Sequence, residues 1–415
     1  MATALRGAPA RTIRAEDISF ARRVTAFCFV LVFDFFYGWA WNTVDLLRPD
    51  LIDAFGLSLT QASLTYTAQS AGALIGAVVI GQLADRFGRR NLLFVVMIGY
   101  SVSLASGAIC TGLTELLVHR FATGVFLGGV FPIGVSTYTA LFDRNQCGKL
   151  AGFYNGTFNG SIVVIGFVVS GFGTEWRELL LIGAAIPICL APLAFVLVPN
   201  DRTTIPYGIT DVPPPPRKLP AAELFSPALR RRTLLIALMV GLNFFAYQAF
   251  AGWQATYLEK QLGLAKEVSK GLIGWQFTAT IIGGFFWGWV ADRYGRRANA
   301  LGFVLAVALI ALYLLSADTY SELLVIGFLF GLMLPASVVW GPWLAELFPA
   351  HLRSTATSIF NWGRIISLFS PPITAAVANG VSLGAAMALG GVAWFLSAIV
   401  WRLLPETLER RTAQV

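Results

Sequence analysis

Apolar residues run through most of this chain in stretches of about 20, far longer than the spacing that leaves one polar face for water. A helix rises about 1.5 Å per residue, so each stretch can cross a hydrocarbon layer about 30 Å thick. Breaks of charged, polar and proline residues mark twelve spans: 24–46, 59–84, 91–112, 116–142, 149–174, 179–198, 233–257, 271–291, 298–316, 323–345, 353–378 and 381–404. Backbone polar groups inside lipid must find partners within their own segment. The pattern therefore predicts an all-α membrane protein.

Charge orients the spans. With the N-terminus placed in the cytoplasm, the loops and span edges on that side carry 23 of the 30 Lys and Arg. The opposite loops keep Arg48, Arg177, Lys260, Lys266 and Lys270, while Arg120 and Arg364 fall inside spans. The positive-inside rule then puts both termini and the 199–232 connection in the cytoplasm. Composition agrees: 13% of residues are charged and 56% hydrophobic, against about 25% charged in soluble proteins. The net charge of +8 sits in short loops between apolar segments, which points to lipid and not to nucleic acid.

Several function classes fall away. Cys28, Cys110, Cys147 and Cys189 are too scattered to hold a metal. There are two histidines, His119 and His351, no phosphate-cradling GxxxxGK[ST] and no G-x-S-x-G elbow, so neither an enzyme, an ATP-driven pump nor a cofactor is expected. The first span follows Arg22 and Arg23, lacks a small-residue cleavage site and carries Asp34, which predicts a retained helix.

The chain repeats itself. G-x-[LV]-A-D-R-x-G-R-R occurs at Gly81, Asp85, Arg86, Gly88, Arg89 and Arg90, and again 207 positions later at Gly288, Asp292, Arg293, Gly295, Arg296 and Arg297. Phe153, Tyr154 and Asn155 are answered by Ile359, Phe360 and Asn361 at an offset of 206. The expected organisation is a segment 1–23, a six-helix bundle 24–198, a linker 199–232 with four consecutive prolines, a second bundle 233–404 and a tail 405–415. Two pseudo-symmetric bundles around a central site imply alternating access by rocking.

The doubled ten-residue signature resembles the loop motif of the major facilitator superfamily. Arg120 to Gly124 with Gly128 and Gly129 is similar to that family's fourth-helix motif, and Ala345 to Pro349 to its segment before helix eleven. Pro405, Glu406 and Thr407 resemble the terminal motif of metabolite and sugar porters. The resemblance covers essentially the whole chain and implies a twelve-helix transporter. An aspartate in helix one with arginines in helices four and eleven, here Asp34, Arg120 and Arg364, is similar to the aromatic-acid and related organic-acid proton symporters. Those show D-G-[YF]-D in helix one; this chain has Asp34, Phe35, Phe36 and Tyr37, lacking the glycine and the second acid. By the same resemblance, the doubled motif latches the cytoplasmic side.

Ionisable groups inside a membrane are costly and read as functional by default. Asp34 and Arg364 fall near the midplane of opposite halves, the expected proton-coupling carboxyl and substrate-carboxylate clamp. The counterpart of Arg364 at the 206 offset is Phe158, so its charge stands outside the repeat. Tyr37, Gly38, Trp41 and Asp45 share a helical face with Asp34. Asp45 and Arg120 form a candidate gating and proton-coupling pair near the outer surface, with His119 beside it; snorkelling to interfacial water is the ordinary alternative. Asn155, Asn159, Asn243, Tyr247, Gln248, Gln276, Trp340 and Asn361 are candidate pocket residues, although Asn and Gln also serve as glue between helices. In the doubled motif, Arg89 and Arg296 can pair with Asp85 and Asp292, those acids can face helix N-termini, and Gly81 and Gly288 allow close helix contact.

The expected function is proton-coupled uptake of a small organic acid, aromatic acids among them, by a monomer in a bacterial inner membrane. A sugar or polyol symporter, suggested by the terminal Pro-Glu-Thr, and a proton-antiport efflux carrier stay open. So does a non-transporting membrane sensor.

Overall fold

The computed structural model describes residues 13–207, 223–316, 319–348 and 359–407, apart from a few side chains within them. The first bundle comprises α1 (Phe20–Leu46), α2 (Leu59–Phe87), α3 (Arg89–Ser106), α4 (Leu113–Leu141), α5 (Arg144–Phe172) and α6 (Trp176–Leu190, prolonged to Leu197). The second comprises α7 (Arg230–Thr256), α8 (Lys266–Tyr294), α9 (Ala300–Leu315), α10 (Tyr320–Met333, prolonged to Leu347), α11 (Ile359–Ser367 and Ser370–Gly380) and α12 (Leu383–Leu403). A short helix, Arg48–Phe55, follows α1. The side where α1 begins and α12 ends is called terminal below, the opposite side distal.

Among the described residues ten helices are long and apolar enough to cross a membrane. Glycine, threonine, tryptophan and Gln276 dilute α8, and α11 is interrupted. Local sequence sets the ends. Ser58 and Gln61 exchange backbone hydrogen bonds at the start of α2, and Thr319 and Glu322 do the same for α10. Pro335 kinks the prolongation of α10, and α11 restarts at Ser370 with Pro371 in its first turn, where a missing N–H costs nothing.

The duplicated core is built on backbone contact. A Cβ on Gly124 of α4 would lie 2.0 Å from the Gln69 carbonyl of α2, and one on Gly331 of α10 would lie 2.0 Å from the Gln276 carbonyl of α8. Both pairs are related by the 207 offset. Gly76 and Gly283 repeat the close approach against Val125 and Leu332. By contrast, a Cβ on Gly81 or Gly288 would meet nothing within 4 Å. The expectation that these motif glycines bring helices together is therefore corrected: the tight crossings lie deeper in the bundle.

On the terminal side, Ile13–Arg14 pairs in parallel with Thr204–Ile205. The backbone N–H of Tyr207 donates to the Ala140 carbonyl at the end of α4. Arg23 donates to the Leu141 carbonyl and lies over the rings of Phe142 and Tyr207. The stretch after α6 is thus strapped to the first bundle.

Candidate functional site

Arg364 lies three residues before the interruption of α11. Gly363 beside it lets α11 approach α7, since a Cβ there would come within 2.6 Å of Val240. The guanidinium reaches across to the first bundle, donating to the Tyr37 hydroxyl at 3.2 Å and stacking 4.6 Å over Trp41. Phe244 lies on its own side at 5.8 Å. Tyr37 packs in turn on Phe158 of α5, and Trp41 meets Tyr66 of α2 edge-on. Among the described residues no carboxylate lies within ion-pair distance of Arg364, and its Nε is buried without a partner. A planar cation held between aromatic faces, with donors to spare, can receive a carboxylate.

Asp34 faces elsewhere. It is 1% exposed and accepts a hydrogen bond from Thr157 of α5 at 2.7 Å, while its second oxygen is buried without a partner. Gly38 presses α1 against α5 one turn further on, where a Cβ would stand 2.5 Å from Ser161 Oγ. The carboxyl group therefore belongs to the interior of the first bundle. It connects to the arginine through neighbours: Tyr37 follows it by one turn, and Phe158 follows Thr157.

The Asp45–Arg120 pair expected at the outer surface does not form. Asp45 pairs with Arg48 at 2.5 Å and accepts from Gln248 of α7 at 2.7 Å. Arg120 is fully buried inside the first bundle and donates to Thr43 Oγ1, to the Thr43 carbonyl and to Gln69 Oε1. Arg120 does not snorkel to water, and Asp45 is engaged by Arg48 and Gln248 instead. Arg48, which the sequence offered only as a loop charge, is the cross-bundle residue: it donates to the Gly252 carbonyl and stacks 4.3 Å over Trp253. His119 is 4% exposed, with Nδ1 2.7 Å from the Ser103 carbonyl, and sits against Gly107 within its own bundle.

Further polar contacts close the distal seam. Asp50 meets Lys270 at 2.5 Å, Asp53 meets Lys260, and Glu175 meets Lys266 at 2.6 Å. In each pair the acid comes from the first half and the lysine from the second. Asn379 donates to Thr60, Thr67 donates to the Leu368 carbonyl, and Tyr66 lies 3.5 Å from Ser367. Three of the five basic residues that defied the inside-positive pattern are thus accounted for by seam pairing.

The remaining pocket candidates divide. Tyr247 is half-buried, Asn155 is exposed, and Asn159 donates to the Asn155 carbonyl one turn back. Gln248 is committed to Asp45. Gln276, Asn243 and Trp340 turn into the second bundle, a correction to their expected place. Gln276 exchanges hydrogen bonds with Gln254, Asn243 accepts from Trp394, and Trp340 packs between Phe303 and Trp401. The side chain of Asn361 lies outside the described residues.

The doubled loop motif is also partly redrawn. Arg296 pairs with Asp292 at 2.7 Å as expected, but Arg89 donates to the Ser136 carbonyl, and the Asp85 side chain lies outside the described residues. The exposed side chains of Arg86 and Arg293 stack on the rings of Phe87 and Tyr294 next to them. The carboxylates that cap the following helical turns come from after the sixth helix of each bundle. Asp201 accepts from the backbone N–H groups of Arg89 and Arg90, and Glu406 from those of Arg296 and Arg297. The prolines just before these acids, Pro199 and Pro405, stand 206 apart, while the two acids stand 205 apart, so the repeat offset alone does not pair them.

The family model of the Major Facilitator Superfamily matches residues 30–275 and again 263–415. The chain belongs to that superfamily. It is a membrane transporter and not an enzyme. It is 28% identical over 370 residues to a cis,cis-muconate transport protein of Acinetobacter baylyi, covering 83% of this chain and 85% of that one. It is 26% identical to a gallate transporter of Pseudomonas putida, covering 91% and 90%. A 4-hydroxybenzoate transporter of Acinetobacter baylyi is 24% identical, with 68% of each covered. Among solved structures, an inward-facing, unoccupied bacterial homologue of the human lysosomal transporter Spinster superposes with a TM-score of 0.75 at 15% identity. It covers 93% of this chain and 97% of that one.

Proposed function

We propose that this superfamily member is a proton-coupled symporter that takes up a small organic acid, with aromatic and related unsaturated carboxylates as the substrate class. The observation that carries the reading is Arg364: a midplane guanidinium between Trp41 and Phe244, hydrogen-bonded to Tyr37, with no carboxylate among the described residues within ion-pair distance. A substrate carboxylate supplies the missing charge, and the aromatic faces suit a flat, conjugated body. The muconate, gallate and 4-hydroxybenzoate transporters to which the chain is similar support the same class.

Asp34 is the proton site in this reading. Having no cationic partner among the described residues, it can take up and release a proton without breaking an ion pair. Its contact with Thr157, beside Phe158 and Tyr37, links that change to the geometry around Arg364. With the basic loops in the cytoplasm, the closed distal seam makes this the inward-facing form, and both termini lie inside a bacterial cell. The terminal Pro-Glu-Thr lends no weight to a sugar substrate, because Glu406 is occupied as a helix cap.

A thermal-unfolding panel on the purified protein tests the substrate class, because a ligand of the native state raises its stability by about 2.7 kcal/mol at a hundred times its Kd. 4-Hydroxybenzoate and cis,cis-muconate are expected to raise the melting temperature, and benzamide and glucose are not. Equal stabilisation by benzamide or by glucose contradicts the carboxylate reading.

A further inference from the structure

The three ion pairs of the distal seam are not alike. Asp53–Lys260 and Glu175–Lys266 lie at the rim, with the acids 70% and 64% exposed. Lys270 is 1% exposed, and a second acid, Glu259 at the end of α7, stands 3.6 Å from its ammonium. Asp50 and Glu259 are each only 11% exposed, and Glu259 Oε1 is buried without a hydrogen-bond partner. One ammonium thus faces two carboxylates. The surrounding charges do not correct the imbalance. Lys260 and Lys266 are spent on their own acids, Asp45 and Arg48 neutralise each other, and Glu267, one turn before Lys270, lies towards Gly173. An uncompensated charge held away from water is expensive.

We propose that the Asp50–Lys270–Glu259 triad is a proton-binding site, filled from the distal side, whose proton holds the distal seam shut. The proton goes to Glu259, the carboxylate less closely held by the ammonium, and leaves a neutral triad. Asp50 belongs to the first half, Lys270 and Glu259 to the second. When the seam opens, Asp50 departs, the remaining Lys270–Glu259 pair is neutral without a proton, and water reaches all three. The closed seam therefore binds a proton more tightly than the open one, and by linkage acid on the distal side favours closure. The proton enters and leaves on the same side, so it sets the gate and does not drive transport. The inference rests on the alternating-access reading but not on the identity of the substrate.

The test is the distance between spin labels at Ala54→Cys and Ala265→Cys, both exposed on opposite sides of the seam, in protein whose four native cysteines are replaced by alanine. Between pH 8 and pH 5 the closed-to-open ratio should rise about tenfold, the effect of a one-unit difference in proton affinity between the two forms. Glu259→Gln, and independently Asp50→Asn, remove the surplus charge and should flatten that response to less than about twofold. A response equal to wild type in either variant overturns the triad. So does a distance that moves with added 4-hydroxybenzoate but not with pH. A distance that moves with neither, in protein shown to bind 4-hydroxybenzoate, contradicts alternating access itself, and the triad with it.

Discussion

The two bundles share a scaffold and differ in where they place charge. In the first, Gln69 donates to the Trp41 carbonyl and accepts from Arg120. Its counterpart 207 residues on, Gln276, exchanges hydrogen bonds with Gln254, which also donates to Tyr313. The position matching Arg120 is Gly327, where a Cβ would stand 3.6 Å from Gln276 Oε1. The same crossing of α2 on α4, or α8 on α10, thus holds a buried cation in one half and a neutral amide pair in the other. The central charge is unequal too: Arg364 in the second half corresponds to Phe158 in the first. The two halves share the frame and differ in the charges it carries.

The largest effect should come from Arg364→Lys, which keeps the charge but loses the planar fork and its stacking on Trp41. Losing one or two charge-assisted hydrogen bonds to the substrate should lower kcat/KM for uptake about tenfold to a hundredfold, measured with labelled 4-hydroxybenzoate in proteoliposomes. Uptake at the wild-type rate would remove the asymmetry at the centre.

The crossing of α2 and α4 gives a smaller, sharper contrast. Gln69→Leu strips Arg120 of an acceptor inside the bundle and should cost about 1–3 kcal/mol in unfolding free energy. Gln254→Leu with Gln276→Leu removes both partners of a neutral pair and should cost less, although the buried Tyr313 hydroxyl loses its Gln254 donor, because no charge is left unsatisfied. Thermal unfolding in detergent reads both. Equal losses would mean that the buried cation makes no difference to the frame.

The smallest effects should be symmetric. Asp201→Asn and Glu406→Gln weaken the same helix cap in opposite halves and should each cost about 1 kcal/mol or less. A large loss from only one would show that the two caps are not equivalent.

What was legible in the sequence follows from the same division. The spans and the repeat are matters of spacing; Tyr37, Trp41 and Arg364 do meet in one cluster, whereas Asp34, on the same expected face of α1, turns to Thr157 of α5. Gln276, Asn243 and Trp340 lie on the right helices, but whether such a side chain faces the centre or the bundle interior depends on how the helix is rotated by its glycine contacts, which no span reveals. An ion pair at Asp45 was readable, but its partner, Arg48, was not. Arg48 lies beyond the end of α1, and the chain must turn there before the two side chains meet. Arg120 looked available only because its acceptors, Thr43 and Gln69, carry no charge to betray them. The seam triad joins residues 50, 259 and 270 and becomes visible only once the halves are docked.

The most direct measurement is accumulation of labelled 4-hydroxybenzoate by proteoliposomes under an imposed pH gradient, wild type against Asp34→Asn. Wild type should concentrate the solute when the interior is alkaline, whereas Asp34→Asn should lose gradient-driven accumulation and still exchange preloaded solute for external solute. Undiminished concentrative uptake by Asp34→Asn would contradict the account.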